Sequence, residues 1–173
     1  MFIGGEYVYY QTICFIKRND ELLMLNRDYT PTQGLWNGVG GKMKENEKPL
    51  ECLVREVKEE TGIDISSNNI TYKGIVSWEI DNTITGGMYA FLVTVPVDYE
   101  YQTPKKIDEG ILDWKKITWL LDGNNLGVGE MIPHVLPNLL KISSTLHHKC
   151  ELHKKKLTKY EFTELLSEKK MRF

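Results

Sequence analysis

The sequence predicts a mixed β-sheet with helices on its faces, on three observations. Strand-like runs outnumber helical ones. Their order along the chain is not a plain strand–helix–strand alternation. One stretch, residues 49 to 61, carries a sharp helical period of apolar residues.

The elements follow in order. Tyr7 to Lys17 is rich in β-branched and aromatic residues, and Glu21 to Arg27 is a second apolar run. Asn19-Asp20 between them is a turn signal, so the two form a hairpin. Residues 28 to 41 hold Pro31, Gly34, Gly38, Gly40 and Gly41 and read as a loop. A helix follows from Pro49 to Thr61: proline suits a first helical position, and Gly62 stops the helix. Two strands are expected over Ile70 to Ile80 and Met88 to Val97, with Gly86-Gly87 ahead of the second. Residues 98 to 108 form a polar connection. Gly110 to Trp114 and Ile117 to Leu121 read as short strands. A helix is expected over Glu130 to Leu146. Residues 154 to 170, with Leu157, Tyr160, Leu165 and Leu166 on one stripe and Phe162 off it, read as an amphipathic helix. The organisation expected is a domain over residues 1 to 146 and a basic helical extension over 147 to 173.

A chain of 173 residues buries about 70% of its unfolded surface and needs no disulfide or structural zinc to fold. The longest apolar run, Met88 to Val93, is far short of the roughly 18 residues of a membrane span. The first residues, Met-Phe-Ile-Gly-Gly-Glu-Tyr, lack a basic start and an apolar stretch, so a cytoplasmic protein is expected. Cys14, Cys52 and Cys150 are odd in number and far apart, which argues for free thiols. Net charge is -2. Residues 147 to 173 hold 8 Lys/Arg and 4 Asp/Glu, whereas the first 146 hold 14 and 20. An acidic body is wrong for a general nucleic-acid binder and directs attention to a metal site.

On a helical wheel of residues 49 to 61, Leu50, Leu53, Val54 and Val57 share one arc of about 100°, and Glu56, Glu59 and Glu60 share another. The glutamates are spaced i, i+3 and i, i+4, where like charges repel. They also lie near the helix C-terminus, where the macrodipole disfavours negative charge. A bound hard cation reverses both penalties, and an all-oxygen set points to Mg²⁺ or Mn²⁺. The other reading is a solvated acidic face with Arg55 and Lys58 as partners.

The pattern around these glutamates resembles the Nudix box: Gly41, five residues, Glu47, seven residues, then Arg55-Glu56-Val57-x-Glu59-Glu60-x-Gly62-Ile63. The resemblance implies an α+β fold, an αβα sandwich, that hydrolyses a nucleoside diphosphate linked to another group. It implies Mg²⁺ ligands at Glu56, Glu59 and Glu60, with the Gly41 carbonyl as a fourth oxygen. Arg55 would orient a glutamate through its planar fork. Glu47 would hold the loop or support the site. Glu109, in Asp108-Glu109-Gly110, is the candidate for a further acidic residue, and the base is either a box glutamate or such a later carboxylate. The family often has Ser or Thr after Glu47. Here Lys48-Pro49 weakens the helix cap.

Upstream, Leu35-Trp36-Asn37-Gly38-Val39-Gly40-Gly41-Lys42 is similar to MutT-type members, which convert oxidised purine nucleoside triphosphates such as 8-oxo-dGTP to monophosphate and pyrophosphate. That likeness makes Asn37 the base-reading amide, Trp36 a neighbour of the base, and Lys42 a point charge for phosphate. Turn formation by Asn37 and core packing by Trp36 are the alternatives. Some relatives place two aspartates before the last helix. Here Gly129-Glu130-Met131-Ile132-Pro133 offers Glu130 alone as the substrate-binding acid. The expected partner is a nucleotide, with RNA 5′ ends as an alternative substrate favoured by the basic tail, and with no membrane. The expected assembly is a monomer or homodimer. A catalytically idle nucleotide-binding module is the other function class.

Overall fold

The computed structural model describes residues 2–3, 6–7, 9–65 and 69–165. Its elements are β1 (Phe2–Ile3), β2 (Glu6–Tyr7), β3 (Thr12–Arg18), β4 (Glu21–Arg27), β5 (Trp36–Asn37), α1 (Pro49–Thr61), β6 (Ile70–Ile80), β7 (Ile84–Thr94), β8 (Lys105–Ile107), β9 (Gly110–Lys116), α2 (Ile117–Leu120), α3 (Ile132–Lys141), β10 (Leu146–His153) and β11 (Lys156–Glu164). Strands β1 and β2 pair with each other. The other nine form one mixed sheet in the order β11-β10-β6-β7-β3-β4-β9-β8, with β5 branching from β4. The β3–β7 and β6–β10 pairs are parallel, and the rest are antiparallel.

Alternation along the strands builds two cores, because successive side chains point to opposite faces. Cys14 and Ile16 of β3, Leu23 and Leu25 of β4, and Tyr89, Phe91 and Val93 of β7 meet Leu53 and Val57 of α1. Phe15, Leu22, Met24 and Ala90 face the other way, onto Val135, Leu136 and Leu139 of α3. The product is a sheet between helices. Of the apolar arc predicted for α1, Leu53 and Val57 are fully buried, Leu50 is partly buried, and Val54 is exposed. Helix α1 starts on Pro49. The Glu51 carboxylate accepts the Lys48 N–H at 3.0 Å, one half of a capping box, while Lys48 itself makes no side-chain cap hydrogen bond. The helix ends at Gly62, whose φ of 79° lets its N–H reach the Lys58 carbonyl.

Several expectations are corrected, and the polar connection expected over residues 98 to 108 ends in a short edge strand, β8. Gly86-Gly87 lies inside β7 rather than ahead of it, because the Trp78 indole lies across Gly86 where a Cβ would stand. The run at Ile117 is a short helix, α2. The helix expected over residues 130 to 146 is confined to Ile132–Lys141, and Leu146 already belongs to β10. The C-terminal extension is a hairpin, not a helix. Strand β10 lies parallel to β6, and β11 covers the far side of β10. An extra residue, Thr158, interrupts the β10–β11 register, so Leu157 and Tyr160 fall on one face although three residues apart. That spacing imitates a helix in the sequence. Leu166 lies outside the described residues. All three cysteines are buried and unbonded. Among the described residues no helix is long and apolar enough to cross a membrane.

Candidate active site

Helix α1 presents the acidic cluster against the loop that precedes it. Arg55 is the hub. Its Nε and Nη2 donate to the two Glu47 oxygens at 2.7 and 2.8 Å, a bidentate pair. Its Nη1 reaches Glu56 at 2.6 Å and Glu59 at 3.1 Å, and Nη2 also donates to the Lys42 carbonyl at 3.1 Å. The Arg55 hydrogen bonds pull the Glu47 carboxyl down to about 2, against its burial. Hydrogen bonding to Glu47 raises Arg55 in turn. Gly41 sits where a Cβ would collide with the Glu56 carboxylate, so the loop and the helix meet at that point without a side chain between them. The Gly41 carbonyl accepts the Thr12 N–H at 2.9 Å.

Glu60 points elsewhere. Its Oε2 accepts the Gly40 N–H at 3.0 Å. Burial pushes its carboxyl up to about 7. The Gly40 hydrogen bond opposes this, the Glu56 and Glu109 charges add to the rise, and Arg27 lowers it. Arg27 Nη2 contacts Glu109 Oε2 at 3.3 Å. Its buried Nε has no hydrogen-bond partner among the described residues. Sequence reasoning missed Arg27, the last residue of an ordinary-looking strand. Only the pairing of β4 with β9 brings it beside Glu109.

On the far side of this loop, β5 carries Trp36 and Asn37. The Trp36 N–H donates to the Gly127 carbonyl at 2.8 Å, and its carbonyl accepts the Gly129 N–H at 3.0 Å. The Lys115 ammonium stands 4.2 Å from the Trp36 ring centroid. The Asn37 carboxamide lies where a Gly129 Cβ would stand, and its Nδ2 donates to the Leu35 carbonyl at 3.4 Å. The Lys42 side chain is exposed. Glu130 is engaged by the C-terminal hairpin instead. Its Oε1 accepts the Leu157 N–H at 3.0 Å, and its Oε2 pairs with Lys156 at 3.3 Å.

The structure thus brings Glu47, Arg55, Glu56 and Glu59 into one ion cluster. It sets Glu60 beside Gly40, with Glu109 and Arg27 acting on it, and places Asn37 three residues before Gly40. Among the described residues no three His, Cys, Asp or Glu side chains converge as a ready metal cage, because Arg55 holds Glu56 and Glu59 while Gly40 holds Glu60. The donor chemistry nevertheless fits a hard cation. Every group is an oxygen donor, and Glu60, Glu56 and Glu109 crowd like charge together.

A family model, the NUDIX domain, matches residues 10–133. The chain belongs to the Nudix family. It is a Nudix hydrolase, of the class that cleaves phosphoric anhydride bonds. The Nudix hydrolase YvcI of Bacillus subtilis is 29% identical over 137 residues, 79% of this chain and 82% of its own length. The NAD-capped RNA hydrolase NudC of Vibrio atlanticus is 32% identical over 73% of this chain, which spans 45% of NudC. A crystal structure of a mutator MutT protein from Bacillus halodurans superposes with a TM-score of 0.72 at 29% identity, covering 88% of this chain and 95% of that one.

Proposed function

We propose that this Nudix hydrolase converts purine nucleoside triphosphates, oxidised ones such as 8-oxo-dGTP included, to the monophosphate and pyrophosphate with Mg²⁺ (or Mn²⁺). The observation that carries the reading is Asn37. Its carboxamide is held on a paired strand against Gly129, three residues before the Gly40 N–H that binds Glu60. An amide that both donates and accepts suits a purine edge, and the segment Trp36-Asn37-Gly38-Val39-Gly40-Gly41-Lys42 resembles the MutT type.

Glu56, Glu59, Glu60 and the Gly41 carbonyl, with Glu109, are the oxygen donors for the metal. When bound, Mg²⁺ supplies charge neutralisation at the diphosphate and a lowered pKa for its water. Arg55 fixes the Glu56 and Glu59 carboxylates, and Glu47 fixes Arg55. The exposed Lys42 ammonium and the Arg27 guanidinium meet phosphate oxygens. Trp36 flanks the base.

A second reading is favoured by the 32% identity to NudC: cleavage of a dinucleotide or of a capped RNA 5′ end. One panel separates the two. Purine and pyrimidine nucleoside triphosphates, 8-oxo-dGTP, NAD⁺, ADP-ribose and NAD-capped RNA are incubated with Mg²⁺, scoring pyrophosphate against mononucleotide release. Pyrophosphate from purine triphosphates is the expected result. Mononucleotides from the dinucleotides, with the triphosphates untouched, would overturn it.

A further inference from the structure

The C-terminal hairpin reaches the wall on which Asn37 rests, and the link is Glu130. The eleven residues between α2 and α3 form an irregular connection, with Leu126 at its tip 83% exposed. Its last part runs beside β5 as a short parallel bridge, Trp36 to Val128. Gly129 is the residue that touches Asn37. It is fixed on two sides, by its N–H to the Trp36 carbonyl and by its carbonyl to the Ile132 N–H at 2.9 Å. The third side is the next residue. The Glu130 carboxylate takes the Leu157 N–H with one oxygen and the Lys156 ammonium with the other. The Leu157 N–H on a charged acceptor is a directional tether, while the mostly exposed Lys156 ammonium adds little to it. The tether runs from β11 to the peptide unit that seats Asn37. The same contact closes the outer edge of β11 at Leu157, where a strand N–H would otherwise stand open.

We infer that Glu130 is a positioning residue: through it the β10–β11 hairpin holds Gly129 under the Asn37 carboxamide and so sets nucleotide affinity. The inference rests on the reading of Asn37 as the base-contacting amide. Glu130 itself touches no substrate. Its loss frees the connection at one end, lets Gly129 move, and loosens the amide that Gly129 holds. The chemistry at Glu60 is untouched, so KM moves and kcat does not.

The test pairs hydrogen exchange with kinetics on the full chain. In Glu130→Ala, amide exchange over residues 125–131 accelerates, and KM for dGTP with Mg²⁺ rises about three- to tenfold, the scale of one hydrogen bond, while kcat stays within about twofold. Glu130→Gln retains an oxygen for the Leu157 N–H, and restores exchange and most of KM. In an Asn37→Ala background Glu130→Ala adds nothing further to KM, because the residue it acts through is gone. A Glu130→Ala protein that melts earlier with exchange over 125–131 and KM unchanged would show a purely structural clamp and overturn the inference. So would effects of the two substitutions that simply multiply. If the parent turns over no dGTP, the reading of Asn37 fails by itself. The exchange arm still decides whether Glu130 tethers the wall.

Discussion

Replacing Arg55 with methionine keeps much of the apolar stem and removes the charge that four groups share. The magnitude follows from Glu47. Its side chain is 11% exposed, and the bidentate pair at 2.7 and 2.8 Å draws its carboxyl from 4.5 down to about 2. A carboxylate whose folded pKa is depressed stabilises the fold above its unfolded value. That stability is lost as pH falls through the folded one. The displacement is worth about 3 kcal/mol at pH 7 and falls to about 1 kcal/mol at pH 3. The pair is part-buried, so solvent screening sets about 3 kcal/mol as its ceiling. Glu56, with 15% of its side chain exposed, is left unpaired in the same step. The assay is urea unfolding of wild type and Arg55→Met at pH 7 and pH 3, with chelator present so that metal plays no part. The variant is less stable by up to about 3 kcal/mol at neutral pH, and the gap more than halves in acid. A gap below about 1 kcal/mol at pH 7, or one that does not shrink in acid, would refute the view of Glu47 and Arg55 as a mutually dependent part-buried pair.

Two further outcomes follow from the same structure. Glu59→Gln and Glu60→Gln keep shape and remove charge, so pyrophosphate release falls at least about a hundredfold in each; near-parental turnover would remove both from the metal set. His148 is fully buried with Nδ1 on the Tyr160 hydroxyl at 2.8 Å, within reach of the His147 and Lys73 charges, while the His134 ring lies tilted at 46° to the same tyrosine. Burial, then those two charges, pushes its pKa from 6.5 down to about 4. The unfolded chain therefore binds the proton first, and stability declines as pH drops from 6.5 toward 4. Urea midpoints at pH 7 and 5 fall further apart for wild type than for His148→Asn, and equal falls would count against the neutral histidine.

Local chemistry makes part of this legible in the sequence. The ends of α1 are readable because Pro49 and Gly62 each act on their own backbone, and the β3–β4 turn because Asn19 tolerates its φ of 52°. Helical spacing announces the Arg55–Glu59 pair at i, i+4, but not the contacts of Arg55 with Glu47, which precedes α1, or with the adjacent Glu56. What needs the fold is everything joined across the sheet. Arg27 and Glu109 lie 82 residues apart and meet only through β4–β9 pairing. Strand β8 looks like polar linker because its lysines face outward on a sheet edge. The hairpin of β10 and β11 passes for a helix for two reasons. The Thr158 bulge gives Leu157 and Tyr160 a helical interval. Its turn uses Lys154 and Lys155 at φ 48° and 65°, where a reader looks for Asn-Gly. Glu130 reads as facing a base, since its partners come from that unforeseen hairpin.

The late position of β10 also shapes how the molecule assembles. Strand β6 is made early, yet its neighbour on one side is translated about seventy residues afterwards, an interval of about 4 to 15 seconds on a ribosome. For that time a long, apolar strand has one flank of open backbone, the situation in which nascent chains stick to one another. Just before the segment that β10 will cover, Gly74–Ile80, stands Lys73, an extra residue between Tyr72 and Gly74 in the register with β7. A lysine at a bulge is how open flanks are kept from recruiting strangers. In the finished protein the same ammonium is buried against the Ile142 carbonyl, in the connection that leads into β10, with its pKa lowered by burial. The guard of the unfinished edge thus becomes a fastening of the segment that completes it.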